Sequence, residues 1–278
     1  NSANGKAFNK IGTIIRAYIT HNRQKPPPPS ITVLPAHTTE YTGWYEPNSP
    51  RVKLFYFLER LLGLAHIDLE DNKLFITSID EKNSIYLPVT QTQFRHVPRN
   101  GFPEPVATVQ LLKPNSEGRF IQLSLGMKTM KKISSWLAIS EIICTGFVFL
   151  SVVSILIYAP FWIIDGLVRK RCLPEERGMR VWPLIAALSL VCFCVLPVIR
   201  IEDFSLIFGS LNLWSFFLFS TTIFFPIASA ASVVTIWRAP KQKTRRAVRI
   251  YSTTVTAALI IASTYFGYWG IIGLRLWA

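Results

Sequence analysis

Residues 133–164 read ISSWLAISEIICTGFVFLSVVSILIYAPFWII, with Glu141 as the single charge. A hydrocarbon core of about 30 Å takes roughly 20 helical residues, so this run is long enough to cross one. Val181 to Ile199, Phe204 to Trp237 and Ile250 to Leu274 carry no charge at all. Inside lipid every backbone amide must pair within its own segment, which makes helices the expected form. The pattern predicts a transmembrane domain over 133–278 with four helices at about 133–164, 181–199, 211–237 and 250–274. Pro160, Pro183, Pro197 and Pro226 are expected to kink or end these helices, with tryptophans near their boundaries as interfacial anchors.

The connecting segments set an orientation. Arg169, Lys170, Arg171, Arg177 and Arg180 follow the first span, and Arg238, Lys241, Lys243, Arg245, Arg246 and Arg249 follow the third. The segment after the second span offers only Arg200, beside Glu202 and Asp203. Short loops rich in Lys and Arg stay cytoplasmic, which predicts residues 1–132 and the C-terminal tail on the outer side of a bacterial inner membrane. The same loops explain the net charge of +14. They hold eleven of the thirty basic residues, so the charge is topological, and nucleic-acid binding is excluded as its cause. Membrane lipid is the expected partner of those basic segments.

All four cysteines, Cys144, Cys172, Cys192 and Cys194, lie in or between the spans. The outer region therefore has no disulfide framework and no cysteine zinc site. Nothing in the sequence calls for a cofactor or a metal.

Residues 1–25 open with turn residues and continue with Phe8, Ile11, Ile15, Tyr18 and Ile19 at helical spacing. An amphipathic helix with no core of its own points to a larger domain upstream, of which 1–25 is the truncated C-terminal end. Residues 26–37 begin with the run Pro26 to Pro29, stiff and unable to donate backbone hydrogen bonds, and read as a linker.

From 38 to 130 the texture changes to short strands with turn punctuation. Lys73 to Ile79, Ser84 to Val89, Ala107 to Leu112 and Arg119 to Leu125 are β-rich, separated by Asp71-Asn72, the Asp80 to Asn83 run and the Pro114 to Gly118 run. Between Arg51 and Leu64 the apolar residues follow a helical period instead. The expectation is a small extracytoplasmic antiparallel β-domain, barrel-like, with one short helix. The whole chain is thus an α+β multi-domain membrane protein.

The stretch Tyr41-Thr-Gly-Trp-Tyr-Glu-Pro-Asn-Ser-Pro-Arg51 resembles the Y-x-G-x-Y…R opening of the small C-terminal β-domain in bacterial serine hydrolases of the β-lactamase and penicillin-binding-protein-like superfamily. Tyr41, Gly43, Tyr45, Pro50 and Arg51 carry that likeness, and the later order is similar too, through Tyr86-Leu-Pro-Val89 and Phe94-Arg95. The resemblance implies that residues 1–25 end a catalytic domain and that the hydrophobic tail matches members with C-terminal membrane helices. It also implies an acyl-serine enzyme acting on peptide, ester or lactam bonds, through a Ser-x-x-Lys nucleophile. This chain contains no Ser-x-x-Lys. Ser2-Ala3-Asn4 and Lys128-Thr129-Met130 match the remaining motifs by letters only. On this reading the chain itself has no catalytic residue, and the machinery lies upstream.

An independent search for chemistry is equally spare. His21, His37, His66 and His96 show no paired spacing, and Glu46, Glu59, Asp68 and Glu104 are expected as solvated surface charges. The aromatic cluster Tyr41, Trp44, Tyr45, Phe55, Tyr56 and Phe57 reads as core of a small domain rather than a ligand pocket. Within the spans, Glu141 and Asp165 are the intramembrane polar residues. Glu141 is expected to pair with Ser140, Thr145 or another helix, and Asp165 to sit in the headgroup zone. Three functions remain: the anchor and accessory β-domain of an envelope serine hydrolase; a non-enzymatic inner-membrane protein whose β-domain binds or senses an envelope partner; and a small transporter component using Glu141.

Overall fold

The computed structural model describes residues 11, 14, 15, 18, 36–49, 56–79, 83–98, 104, 106–123, 128–169, 174–199, 210–240, 242 and 244–275. The Pro26 to Pro29 linker, Pro50 and Arg51 lie outside the described residues. The chain divides into two compact units, Asn1–Ile142 and Ile143–Ala278.

The first unit is built on eight antiparallel strands in chain order, closed into a barrel. They are β1 (Gly43–Pro47), β2 (Ala65–Glu70), β3 (Lys73–Ser78), β4 (Ser84–Pro88), β5 (Gln93–Val97), β6 (Val109–Leu111), β7 (Phe120–Leu123) and β8 (Lys128–Ile133). A 3-10 turn, Ala36–Tyr41, precedes β1, and helix α1 (Tyr56–Leu62) connects β1 to β2. The turns sit where turn chemistry predicts them. Asp71 and Asn72, both at positive φ, link β2 to β3, while Asn115 and Gly118 bridge the β6–β7 hairpin.

Four strands coincide with the expected β-rich runs, and β1, β2, β5 and β8 are additional. The last of these matters most. Lys128–Ile133, with three lysines, gives little apolar alternation, yet it pairs with both β7 and β1 and closes the sheet. The strand therefore runs to Ile133, where the sequence pattern places the first membrane span. Closure rather than propensity recruits it, because an open edge would leave a row of backbone donors and acceptors unpaired.

The interior is filled. Tyr45, Ile67, Leu74, Phe94, Ile121 and Met130 are fully buried side by side, and Tyr86, Val109 and Leu111 complete the core. Eight strands enclose a space just wide enough for side chains to fill. The Tyr45 hydroxyl donates to the Tyr41 carbonyl at 2.8 Å, and the Tyr41 hydroxyl donates to the Leu112 carbonyl at 2.5 Å. Between these tyrosines Gly43 adopts φ +124°, a conformation side-chain-bearing residues rarely hold, close against the Lys132 side chain.

Five α-helices lie among the described residues, four of them long and apolar enough to cross a membrane. These are α2 (Ser135–Arg169), α3 (Pro174–Ile199), α4 (Leu213–Arg238) and α5 (Arg246–Tyr268). All four prolines named above lie within helices rather than at their ends. Small hydroxyl and alanine side chains line the buried faces: Ser229 and Ser232 on α4, Thr256 and Ala258 on α5, Ala186 and Ala187 on α3. Small residues let helix backbones approach closely where no hydrophobic force distinguishes helix from lipid. Ser229 and Ser232 donate to carbonyls four residues back, so they bury no unmet donor. Phe149, Leu150, Ile157, Phe161, Phe216, Phe224 and Ile227 stay exposed, as lipid-facing positions do.

Helix boundaries follow local chemistry. Asn212 and Ser215 form a reciprocal capping box at the start of α4. The expected fourth helix runs to residue 274, whereas α5 ends at Tyr268. Gly270 at φ +67° turns the chain, with Ile271 N–H donating to the Phe266 carbonyl and Gly270 N–H to that of Gly267. This is a Schellman stop, which continued apolar sequence conceals.

Gly63, just after α1, is the point where that helix meets β1. A Cβ there would come within 2.6 Å of a Pro47 ring carbon. Gly63→Ala is expected to destabilise the barrel by about 2 kcal/mol through forced displacement of α1. Thermal unfolding of the detergent-purified chain, followed by near-UV circular dichroism, measures it.

Candidate functional site

The first unit gathers two carboxylates around one guanidinium. Glu46 comes from β1, Arg60 from α1, and Glu141 from the first turns of α2, within the part of that helix belonging to this unit. Arg60 stands 2.6 Å from a Glu46 oxygen and 3.3 Å from a Glu141 oxygen. All three side chains are largely withdrawn from solvent, at 18% exposure for Arg60, 10% for Glu46 and 14% for Glu141. Lys131, opposite Glu46 in the β1–β8 ladder, adds a second positive charge nearby.

Glu141 thus finds its partner in the β-domain and not in Ser140, Thr145 or a membrane helix. The reason is helix length. At 1.5 Å per residue, the 35 residues of α2 measure about 52 Å against roughly 30 Å of hydrocarbon, leaving turns to spare outside lipid. Glu46, expected as a solvated charge, is buried because its strand position faces α1. Burial raises its carboxyl above the ordinary value, outweighing the opposing pull of Arg60 and Lys131. The Tyr56 hydroxyl donates to the Pro47 carbonyl at 3.0 Å beside this cluster, and burial raises its ionisation too. The arrangement can hold charge and share a proton, and it ties strand, short helix and α2 together.

The other sequence-picked residues have local duties. Tyr41, Gly43 and Tyr45 lie where the 3-10 turn runs into β1, with both tyrosine hydroxyls bonded to backbone carbonyls. Of the aromatic cluster, Tyr41, Tyr45 and Phe57 are buried core, Trp44 and Tyr56 are half-buried, and Phe55 lies outside the described residues. His66 approaches Asp68 at 2.9 Å and stacks edge-on to Trp44, while His96 lies 3.8 Å from Glu104. Among the described residues no group of three or more His, Cys, Asp or Glu gathers to hold a metal. Asp165 lines a cavity in the second unit.

The basic residues are more helical than expected. Arg169 ends α2, Arg177 and Arg180 lie in the first turns of α3, Arg238 ends α4, and Arg246 and Arg249 begin α5 after Arg245 at its N-cap. Lys170, Arg171, Lys241 and Lys243 lie outside the described residues. Arg249 donates to the carbonyls of Ala239 and Ile236, where α4 ends. Sequence reasoning passed over Glu176, which is fully buried and accepts from Arg180 at 2.9 Å and from the Arg245 backbone N–H at 2.9 Å. The Glu176–Arg180 spacing of four was the available signal. For Glu46, Arg60 and Glu141 no such local signal exists.

No protein-family model matches this chain, and no curated protein or solved structure matches it either.

Removing Arg60 leaves two buried carboxylates facing each other. Arg60→Met is expected to cost about 3 kcal/mol of barrel stability, most of it recovered when Glu46→Gln and Glu141→Gln are added. Melting of the single and triple variants in detergent decides this. Glu46 also gives a pH dependence. Its folded-state pKa is raised above the ordinary 4.5, so the folded chain holds this proton more tightly than the unfolded chain. Its contribution is complete below the ordinary value and is lost as pH rises through the folded value. The melting temperature of Glu46→Gln relative to the parent is therefore expected to rise between pH 4 and pH 8.

Proposed function

We propose that this chain is the membrane anchor and accessory β-domain of an envelope serine hydrolase in the β-lactamase and penicillin-binding-protein-like superfamily. The catalytic domain precedes residue 1 and works at the outer face of the bacterial inner membrane, through an acyl-serine intermediate. The observation that carries this reading is an uncovered helix face. Ile11, Ile14, Ile15 and Tyr18 are helical and 53–84% exposed. Their spacing puts them on one side of the helix, and large apolar side chains grouped this way call for a covering surface. The Tyr41-Gly43-Tyr45 likeness supplies the nature of that covering domain.

Two further features support the accessory role. The barrel interior is filled by Tyr45, Phe94 and their neighbours, which suits a rigid spacer better than a ligand container. Glu141 is engaged with Arg60, which suits a structural tie better than a transport pathway. The basic segments flanking α2/α3 and α4/α5 favour the cytoplasm for those ends and the outer side for the barrel.

Sequencing the intact gene upstream of Asn1 and expressing its full product tests the proposal. A Ser-x-x-Lys followed by a Tyr-x-Asn or Ser-x-Asn element is expected. A fluorescent penicillin should label the product, and labelling should vanish when that serine becomes alanine. An upstream sequence without Ser-x-x-Lys would overturn the reading.

A further inference from the structure

The two ends of the barrel differ in what they expose. In a closed meander the connections alternate between ends, so α1, the segment after β3 and the segment between β5 and β6 share one end. Among the described residues from 36 to 133, the exposed large apolar side chains are Leu62, Ile79 and Val106, at 47%, 64% and 54%. Leu62 closes α1, Ile79 follows β3, and Val106 lies between β5 and β6, so all three belong to that end. The opposite end has polar turns: Asp71-Asn72 after β2, Thr90 to Thr92 after β4, and Asn115 to Glu117 after β6.

The apolar end is also tied to the first turns of α2, through Arg60 of α1 and Glu141. Only Ser134 separates β8 from α2. It caps the helix, its hydroxyl accepting from the Leu137 N–H at 3.3 Å and its carbonyl from the Ala138 N–H at 3.2 Å. Such a junction has no slack, so the barrel stays close to the level at which α2 enters lipid. Charge sets that level. Between Glu141 and Asp165, α2 carries no charge from Ile142 to Ile164. That run measures about 34 Å against roughly 30 Å of hydrocarbon, which puts Glu141 at the hydrocarbon edge. Arg60 holds α1 at the same depth. Trp136, 80% exposed just before Glu141, suits the headgroup layer, where tryptophans anchor spans.

We propose that the barrel rests on the membrane by this end, with Leu62, Ile79 and Val106 immersed in the phospholipid headgroup layer. Apolar side chains dipped to that depth lose contact with water, which stabilises the seating. The polar turns of the opposite end face away from lipid. The inference rests on α2 crossing a membrane and is independent of the hydrolase reading.

Spin labelling of the full chain in phosphatidylcholine and phosphatidylglycerol nanodiscs tests it, with Cys144, Cys172, Cys192 and Cys194 replaced by alanine. Labels are attached at Leu62→Cys, Ile79→Cys and Val106→Cys. Glu117→Cys serves as the aqueous reference and Leu150→Cys as the mid-span reference, and a matching melt verifies the fold of each variant. Relative to Glu117, the three apolar sites are expected to collide about fivefold less with a water-soluble nickel chelate, and more with oxygen, as side chains in the headgroup layer do. Nickel collision equal to that at Glu117 would overturn the proposal. A fall in collision with both probes would also overturn it, because that marks covering by protein. Leu150 separates the two premises. Nickel access there would remove the crossing of α2 and the proposal with it, whereas a lipid-shielded Leu150 beside water-exposed apolar sites would refute the seating alone.

Discussion

The ladder between β1 and β8 is the interaction on which the first unit depends. Trp44 to Pro47 pair with Ile133 to Met130 in reverse order, and this turns an open meander into a closed barrel. Two consequences follow. Backbone groups at both sheet edges find partners, so a lysine-rich strand with weak β character is held in place. The same register sets Glu46 opposite Lys131 and delivers the chain, one residue later, into α2. Glu141 then meets Arg60 within two turns of that helix start. A buried charge cluster of this kind adds less net stability than its short distances imply, because desolvation offsets attraction. It does make any arrangement that separates its members expensive.

The second unit solves a different problem. Where lipid and side chain are equally apolar, helices cannot associate by hiding hydrocarbon, and close fit must serve instead. Alanine, serine and threonine on the buried faces of α3, α4 and α5 provide that fit, and Phe193, Phe225 and Phe266 interlock edge-to-face at 5.5 to 5.6 Å. At the basic end, Glu176 holds the start of α5 against α3 through the Arg245 N–H and Arg180. The basic residues there also act locally: Arg180 and Arg249 bond at helix ends, and Arg245 borders a cavity.

The interiors of the two units differ in the same way. The barrel interior of the first unit is filled with side chains, and Glu141 is tied to Arg60 within that unit. The second unit instead leaves a cavity of about 320 Å³ beside Trp162.

Much of this was readable one residue at a time. Four helices long and apolar enough to cross a membrane, the strands at Lys73, Ser84, Val109 and Phe120, and their turns are local properties of hydropathy, period and φ preference, and the structure contains them. The aromatic residues Tyr41, Tyr45 and Phe57 are core for the same reason: their size demands burial. What the chain could not disclose locally depends on which segments meet. β8 is a strand only because β1 and β7 flank it, and α5 stops at Tyr268 only through the Gly270 turn within an unbroken apolar run. The Glu46, Arg60 and Glu141 cluster joins positions with no common spacing. The sequence by itself determined most of the elements and the apolar character of the four long helices, because these follow from each segment's own solvation and backbone preferences. Tertiary structure alone decided barrel closure, the burial of Glu46 and the walls of the cavity, because each is set by register and packing between segments distant along the chain.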